Sequence, residues 1–259
     1  MKIKPNKLRE HVLDMVYEKK SGHIGGSFSL AEIVSYLYNN FSFGTSAQMV
    51  DSDILILSKG HAAPIIYAAQ LEAGIFSLGV KDTFRELYSP FQGHPDVRFN
   101  PGVFASTGSL GQGLSIACGM ALSKKINNES GAVFCILGDG EINEGQCYEA
   151  LMFANKYCLN NLIIILDYNG FQNDGPTSDI MPIASIEKVV QGFGLSVHTI
   201  NGNDYEAIES SQIFNLNGGP KFIIAKTTKG YGVSFMEGQA WHSRVPSATE
   251  YELAKEELK

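Results

Sequence analysis

Oxygen-bearing side chains follow two apolar runs of the sequence, at the points where each run ends. Gly138-Asp139-Gly140 follows "AVFCIL", and Asn169 lies in "DYNGFQNDG", directly after "LIIIL". A carboxylate and an amide oxygen suit a hard cation such as Mg²⁺, which often shares its ligands with a phosphate. Gly140 leaves room for a phosphate to approach the backbone, and a helix predicted to follow would offer its N-terminal N–H groups to that anion. If the two runs are neighbouring strands, Asp139 and Asn169 converge on one site.

Two other interpretations of these glycine turns have to be weighed. The GDG triplet alone is also typical of an ordinary turn with a capping aspartate, because short motifs recur by chance. A nicotinamide-cofactor site is disfavoured, since "GSLGQG" and "GDGEINEG" both miss the G-x-G-x-x-G spacing and neither opens the first strand–helix unit.

The histidines favour a catalytic site. Four of the six lie in turns of small residues, and they are His23 ("SGHIGGS"), His61 ("SKGHAAP"), His94 ("QGHPD") and His242 ("AWHS"). Imidazole both donates and accepts hydrogen bonds near neutral pH, which suits proton transfer on a polyhydroxylated substrate. Their spacing, without partner cysteines, does not fit zinc. His11, on the first predicted helix, and His198, within a predicted strand, are expected to be structural.

Apolar strands alternate with helical segments along the chain. The predicted strands are 53–58, 132–137, 162–167, 195–200 and 221–227, and the predicted helices include 7–19, 63–74, 109–125, 144–157, 185–191 and 204–214. Continuous apolar strands between amphipathic helices indicate an α/β fold whose parallel sheet carries helices on both faces. No linker or composition shift divides the sequence, so residues 1–259 are predicted to form one domain.

Composition excludes several classes of protein. The 259 residues carry a formal net charge of -7, which disfavours binding to nucleic acid or to an anionic membrane. The N-terminus lacks an apolar signal-peptide segment, and the longest apolar runs are too short to span a bilayer. The four cysteines lack metal-type spacing and are expected to be free, buried thiols, so a cytoplasmic location is predicted.

Seven segments together resemble the N-terminal, diphosphate-binding domain of transketolases. In the order of that family, they are "SGHIGG", "LSKGHA", "GHPD", "TGSLGQG", "GDGEINEG", "DYNGFQNDG" and "KGYGVSFMEGQAWH". The resemblance runs from Ser21 to about Leu258 and includes the thiamine-diphosphate motif, GDG followed some thirty residues later by an asparagine. Ile24 and Ser109 stand where proline is common in the family. The resemblance implies the thiamine-diphosphate-binding fold of the diphosphate type.

The resemblance also implies a cofactor site. Asp139, Asn169 and the backbone carbonyl of Phe171 would hold Mg²⁺, Ca²⁺ or Mn²⁺ bridging the diphosphate of thiamine diphosphate. Gly140 would contact the diphosphate through its backbone. Four further residues are expected around the cofactor, namely His61 and His242 near the diphosphate and the reacting centre, and Gly108 and Leu110 at the aminopyrimidine.

Catalytic roles follow from the same resemblance. His23 and His94 would bind hydroxyl groups of a ketose donor and assist proton transfer, together with His242 at the reacting centre. Glu144 and Glu149 match carboxylates that link two active sites across a subunit interface, although both also suit ordinary surface positions on a helix. Glu141 receives no role and is expected to be solvated.

The activity implied is transfer of a two-carbon ketol unit from a ketose or ketose phosphate to an aldose or aldose phosphate. Only seventeen residues follow His242, so the chain is predicted to be the N-terminal subunit of a split transketolase. A separate C-terminal subunit would bind the pyrimidine, in a heterotetramer of two copies of each chain, and the isolated chain is expected to self-associate. The alternatives are a 2-oxo-acid dehydrogenase α chain, a deoxyxylulose-phosphate synthase, a specialised sugar transketolase and a non-catalytic binding module.

Overall fold

Five parallel strands form one sheet in the computed structural model, which describes residues 2–216 and 218–259. The strands are β1 (Ile54–Leu57), β2 (Val133–Gly138), β3 (Leu162–Tyr168), β4 (Ser196–Asn201) and β5 (Lys221–Lys226). Their order across the sheet is β1-β2-β3-β5-β4, and every pairing is parallel. The parallel sheet and the positions of all five predicted strands are therefore confirmed.

Helices cover both faces of this sheet. They are α1 (Pro5–Glu18), α2 (Ile24–Phe28), α3 (Ala31–Asn40), α4 (Ala63–Glu72), α5 (Gln112–Asn127), α6 (Gly145–Lys156), α7 (Thr177–Ile180), α8 (Ile186–Gly192), α9 (Tyr205–Ser211) and α10 (Ala248–Glu257). One apolar cluster joins alternate strand residues to α1–α4, α9 and α10, and a second joins the remaining strand residues to α5, α6 and α8. The α/β architecture with helices on both faces is confirmed.

The strands differ in burial as their sequences differ in polarity. β1, β2 and nearly all of β3 are buried, as expected for continuous apolar runs between two layers of helices. β4 has the mixed sequence "SVHTIN" and lies at the edge of the sheet, where half or more of its side chains meet solvent. His198 is one of these exposed residues, away from the four histidines of the turns.

Helix ends follow local sequence in some places and tertiary contacts in others. Ser247 and Glu250 form a reciprocal capping box that starts α10. The predicted helix at 109 begins only at Gln112, because Gly111 adopts a left-handed φ of 84° that a helix cannot include. The sequence analysis did not predict α2, since "IGGSF" is glycine-rich; its Gly25 N–H donates to the carbonyl of Trp241, far along the chain.

The topology brings four loops to one edge of the sheet. β2 and β3 are neighbours, with Gly138 opposite Asp167, so their following loops start side by side. The loops after β1 and β5 leave from the same edge, because all strands are parallel. All four cysteines are free thiols, and the predicted burial is confirmed for Cys118, Cys135 and Cys147 but is wrong for Cys158, which is exposed just after α6. Within the described residues, no helix is both long enough and apolar enough to cross a membrane.

Candidate functional site

A cavity of about 390 Å³ opens at the carboxyl edge of the sheet. Nearly every residue for which the sequence predicted a catalytic, cofactor-binding or metal-binding role lines it, and these are His23, His61, His94, Gly108, Leu110, Asp139, Gly140, Glu144, Asn169, Phe171 and His242. They come from segments up to 219 positions apart in the sequence, from 23 to 242. The fold therefore gathers the predicted set in one place, while the role of each residue stays a prediction.

Asp139 and Asn169 converge as the strand order requires. Oδ2 of Asp139 accepts hydrogen bonds from the backbone N–H groups of Gly170 at 2.6 Å and Phe171 at 3.2 Å. Oδ1 of Asn169 accepts from the same Phe171 N–H at 3.0 Å. The carboxylate, the amide oxygen and Phe171 are thus held together by the turn that follows β3.

The other oxygen of Asp139 is prepared for a cation. Oδ1 is buried and accepts no hydrogen bond from any residue in the described part of the chain. Burial, together with the nearby carboxylate of Asp167, raises the pKa of Asp139 to about 7. A buried oxygen without a partner is costly unless a ligand satisfies it. The oxygen donors around it match Mg²⁺, Ca²⁺ or Mn²⁺ better than softer metals, so the residues fit the divalent cation predicted here.

A buried ion pair that the sequence analysis missed lies beside this carboxylate. Nζ of Lys59 is 2.5 Å from Oδ2 of Asp167, with the two side chains 2% and 0% exposed. Asp167 also accepts from Ser29 Oγ at 2.7 Å, from the hydroxyl of Thr227 and from Asn169 Nδ2 at 3.1 Å. Lys59 itself lines the cavity. Its position directly after the first apolar run was the sequence signal that could have found it.

A second lysine lines the cavity from the loop after β5. Lys229 is 3% exposed, and its Nζ donates to the carbonyl of Gln172 at 3.2 Å. Burial, and then the charge of Lys59, lowers the pKa of Lys229 to about 8. Two lysines around one cavity, beside oxygen donors that fit a divalent cation, form an electrostatic environment suited to a polyanion such as a diphosphate.

The four turn histidines form one cluster. The ring of His23 lies 5.7 Å from that of His61, 5.7 Å from that of His94 and 5.1 Å from that of His242, each in an edge-on arrangement. His61 and His242 are also 5.1 Å apart. The turns that carry His23 and His242 are joined by the backbone, since His23 N–H donates to the carbonyl of His242 at 2.6 Å.

These imidazoles are held neutral. Burial, and then neighbouring cationic or imidazole groups, lowers the pKa of His23 to about 3, of His61 to about 2 and of His242 to about 4. Burial, and then Arg85, also lowers the pKa of His94. At neutral pH the cluster therefore presents neutral rings, each with one donor and one acceptor nitrogen.

The expectation that Glu141 is solvated is wrong. Its side chain is 1% exposed, and its carboxylate accepts from Ser58 Oγ and from the N–H groups of Gly111 at 3.0 Å and Gly138 at 3.2 Å. These donors belong to three segments that converge on the Glu141 carboxylate: the loop after β1, the loop before α5 and the end of β2. The sequence could not show this burial, because it depends on loops that are distant along the chain.

Close backbone approaches shape the rest of the cavity wall. A Cβ added at Gly108, which has φ 149°, would lie 3.1 Å from the ring of His94. A Cβ added at Gly111 would lie 2.8 Å from the Cβ atom of Glu144. Glu144 is exposed at the cavity wall, and Glu149 is exposed on α6 outside it.

Comparison with known proteins agrees with this geometry. Residues 2–258 match the family model "Transketolase, thiamine diphosphate binding domain". The chain is 36% identical to an apulose-4-phosphate transketolase subunit of Phocaeicola vulgatus, over 100% of this chain and 93% of that protein. It is 37% identical to a 6-deoxy-6-sulfo-D-fructose transketolase subunit of a Clostridium strain, over 90% of this chain and 86% of that protein.

A solved structure shows the same fold within a longer chain. The crystal structure of transketolase from Campylobacter jejuni superposes with a TM-score of 0.90 at 32% identity. The alignment covers 98% of the present chain but 42% of the Campylobacter chain. With a family match along nearly its whole length and a cavity that gathers the motif residues, the chain belongs to the transketolase family as its thiamine-diphosphate-binding, N-terminal domain.

Proposed function

We propose that this chain is the N-terminal subunit of a two-chain transketolase that moves a two-carbon ketol unit between sugars. The reaction breaks the C2–C3 bond of a ketose and forms the same kind of bond to an aldose carbonyl, so no external oxidant or reductant is needed. The observation that carries the proposal is the convergence of the predicted residues around one cavity that also contains four neutral histidines.

Asp139, Asn169 and Phe171 would hold a divalent cation against a diphosphate. The buried Oδ1 of Asp139 supports this assignment, since a cation gives that oxygen the partner it lacks among the described residues. Bound thiamine diphosphate supplies the carbanion chemistry of the reaction. The chain's own residues would bind and orient that group: Gly140 would contact the diphosphate through its backbone, and Gly108 and Leu110, also in the cavity wall, would present backbone to the aminopyrimidine.

The two cavity lysines support a diphosphate as the ligand. A bound diphosphate adds negative charge to a site that already contains Asp139 and Asp167, so cations must offset it. Lys59 is largely engaged with Asp167, whereas Lys229 lines the cavity with only a carbonyl acceptor in the described part of the chain. We therefore propose that Lys229 binds the diphosphate and that Lys59 holds the buried Asp167 in place beside the cavity.

The histidines suit a sugar substrate better than a 2-oxo acid. Together, four neutral imidazoles offer both donors and acceptors to several hydroxyl groups, and a ketose offers hydroxyls along its length. His23 and His94 would contact the ketose donor, while His61 and His242 would face the diphosphate and the reacting centre. Excluding water from this cavity strengthens each of these hydrogen bonds.

A partner chain completes the site in this proposal. The chain spans 42% of the Campylobacter transketolase, and two of its relatives are themselves named subunits. We propose that this chain acts as one domain and that its partner supplies the pyrimidine-binding half, in a heterotetramer of two copies of each chain. The proposed interface includes the outer faces of α5 and α6, where Glu149, Met152, Phe153 and Ile116 are exposed.

The experiment is a reconstitution. We expect the purified chain alone to bind thiamine diphosphate weakly with Mg²⁺ and to show no ketol transfer, and to self-associate in sedimentation. Addition of a candidate pyrimidine-binding chain should produce transfer from a ketose phosphate to an aldose phosphate. Robust transfer by the chain alone removes the split-enzyme proposal, and turnover of pyruvate instead of a ketose phosphate favours the 2-oxo-acid alternative.

The sugar is proposed to be specialised. Two relatives are named for apulose-4-phosphate and 6-deoxy-6-sulfo-D-fructose, and these names describe those proteins. We infer that the present chain also acts on a ketose outside the common pentose and hexose phosphates. The measurement is kcat/KM for a panel of ketose donors with the reconstituted enzyme. Highest kcat/KM for xylulose 5-phosphate would contradict a specialised substrate.

A further inference from the structure

An arginine outside the predicted site contacts the histidine cluster. Nη2 of Arg85 lies 3.0 Å from Nδ1 of His23. The guanidinium also packs under the turn that precedes His94, since a Cβ added at Gly93 would lie 3.2 Å from Arg85 Cζ. Arg85 thus touches the supports of two of the four histidines, although no motif of the sequence analysis included it.

Both members of this contact have unusual backbone geometry. His23 has φ 80° and Arg85 has φ 62°, in the left-handed region that non-glycine residues rarely adopt. The Arg85 N–H donates to the carbonyl of Phe91 at 2.7 Å, which closes the turn around it. Such conformations cost free energy and persist where the surrounding structure holds them, often at functional sites. Two strained residues facing each other point to a selected contact rather than an incidental one.

The chemistry of the two groups fixes where the proton of His23 lies. A guanidinium has only N–H donors and does not lose its charge, so it can donate to Nδ1 but cannot accept from it. Nδ1 must therefore carry the lone pair, and in the neutral ring the proton lies on Nε2. Within the described residues Nε2 has no hydrogen-bond partner, and His23 lines the cavity.

We propose that Arg85 is a positioning residue that locks His23 as a neutral hydrogen-bond donor, with its Nε2–H offered to an oxygen of the ketose. This deepens the proposed function and rests on it for the identity of the substrate. His23 is then a donor to a carbonyl or hydroxyl oxygen and not the group that removes a proton, since its acceptor nitrogen is occupied. Proton removal falls to the other imidazoles of the cluster.

The groups around His23 agree with this assignment. The rings of His61, His94 and His242 lie 5.1 to 5.7 Å away, and Arg85 supplies the positive charge. Burial, then His242, then Arg85 all lower the pKa of His23. A cation next to an imidazole disfavours a second positive charge on it, so the ring stays neutral while it donates.

The test is ¹⁵N NMR of the full chain labelled at histidine, with the His23 signals assigned through their loss in His23→Gln. At neutral pH we expect His23 as the Nε2–H tautomer with an unprotonated Nδ1. In Arg85→Leu we expect a mixture of tautomers and protonation of His23 at higher pH. Arg85→Lys, which keeps a cationic donor, should restore the wild-type pattern. Arg98→Leu is the matched control, because Arg98 is exposed and bonded to Asp96.

An Nδ1–H tautomer or an imidazolium at His23 in the wild-type chain overturns the proposal, and so do unchanged His23 signals in Arg85→Leu. The wild-type spectrum decides even if that variant does not fold. In the reconstituted enzyme, Arg85→Leu should lower kcat about tenfold, the equivalent of one hydrogen bond, with thiamine diphosphate affinity unchanged. Absence of ketol transfer in the wild-type assembly counts against the proposed function and leaves the tautomer result standing.

Discussion

Two buried ion pairs in the described part of the chain lie in different surroundings. Arg9 and Glu32 meet at 2.6 Å between α1 and α3, with side chains 1% and 7% exposed. Lys59 and Asp167 meet at 2.5 Å at the ends of β1 and β3. The first pair ties helices together inside the layer on one face, whereas the second borders the cavity and shares Asp167 with Asn169. Similar burial and similar distance thus serve packing in one region and a ligand site in the other.

A buried ion pair therefore does not by itself indicate a ligand-binding site. Arg9 also donates to the carbonyl of Phe28 at 3.2 Å, and Asn203 donates to Glu32 at 3.3 Å, so both oxygen-bearing and charged ends of that pair have protein partners, while Nε of Arg9 is buried without one among the described residues. Around Lys59, the neighbouring Asp139 keeps one buried oxygen without a partner from the described residues. What distinguishes the candidate site is an unpartnered carboxylate oxygen, an acceptor open to a cation, beside the cavity that gathers the motif residues.

The largest expected effect comes from breaking each pair in turn. Arg9→Met and Lys59→Met each leave a buried carboxylate without its counterion, which costs about 3–5 kcal/mol of the free energy of unfolding. Both variants should unfold at lower urea concentration. Only Lys59→Met should also weaken the binding of thiamine diphosphate, and calorimetry with the reconstituted enzyme measures that affinity. Equal loss of cofactor affinity in the two variants would contradict the distinction.

Asp139→Ala tests the incomplete hydrogen-bond set directly. Loss of one hard oxygen ligand should weaken binding of the divalent cation. The affinity for thiamine diphosphate, whose diphosphate that cation would hold, should then fall about a hundredfold, and activity should be lost with it. Stability should fall little, because removing the carboxylate also removes its burial cost. Asp179→Ala, at an exposed aspartate of α7, is the control. Wild-type affinity for thiamine diphosphate in Asp139→Ala would show that the metal assignment is wrong.

The sequence predicted the sheet and the turn residues of the site, but it did not predict α2. The apolar runs of β1, β2 and β3 predicted the sheet, because a strand buried on both faces needs apolar residues at every position. The histidines were found because four of the six lie in turns of small residues, and Asp139 because it and Asn169 each follow an apolar run. The α2 helix was missed, since "IGGSF" forms a helix only where Trp241 accepts its N–H.

The charged supports of the site were the hardest to predict. Lys59 and Asp167 each follow an apolar run, which places them at strand ends, but they are 108 positions apart and neither segment shows that the two side chains pair. Glu141 follows a glycine turn among other polar residues, where a solvated side chain is the ordinary expectation. Its burial results from Ser58 and Gly111 donating to it from two other loops. Long-range contacts of this kind require the fold.

Removal of the histidines proposed to face the substrate should have a smaller effect than removal of Asp139, the proposed metal ligand. His23→Ala and His94→Ala are expected to lower kcat for ketose donors about tenfold to a hundredfold, because each loses a hydrogen bond that strengthens in the transition state. Thiamine diphosphate affinity should stay close to wild type. His198→Ala, on the exposed edge strand, should change neither value. A loss confined to cofactor affinity would place these residues at the cofactor instead.

The smallest expected effect is a pH dependence of stability that originates at the carboxyl edge of the sheet, where His61 and His23 lie. Burial lowers the pKa of His61 to about 2 and of His23 to about 3 in the folded chain, against about 6.5 when unfolded. Below about pH 6.5 the unfolded chain therefore binds protons that the folded chain does not. This stability is complete above that pH and is lost progressively as the pH falls towards the folded values.

Each histidine should contribute roughly 0.5–1 kcal/mol per pH unit between about pH 6.5 and 5, below the full linkage slope because both side chains are partly exposed. The measurement is urea unfolding across that range for wild type, His61→Asn and His23→Asn; asparagine tolerates the left-handed backbone at position 23. Both variants should show a shallower slope. Asp139, whose raised pKa acts in the opposite direction, is present in all three proteins and cancels in the comparison. Arg98→Leu, which removes an exposed charge, should keep the wild-type slope, and an equally shallow slope in that variant would mean that the effect does not come from the two histidines.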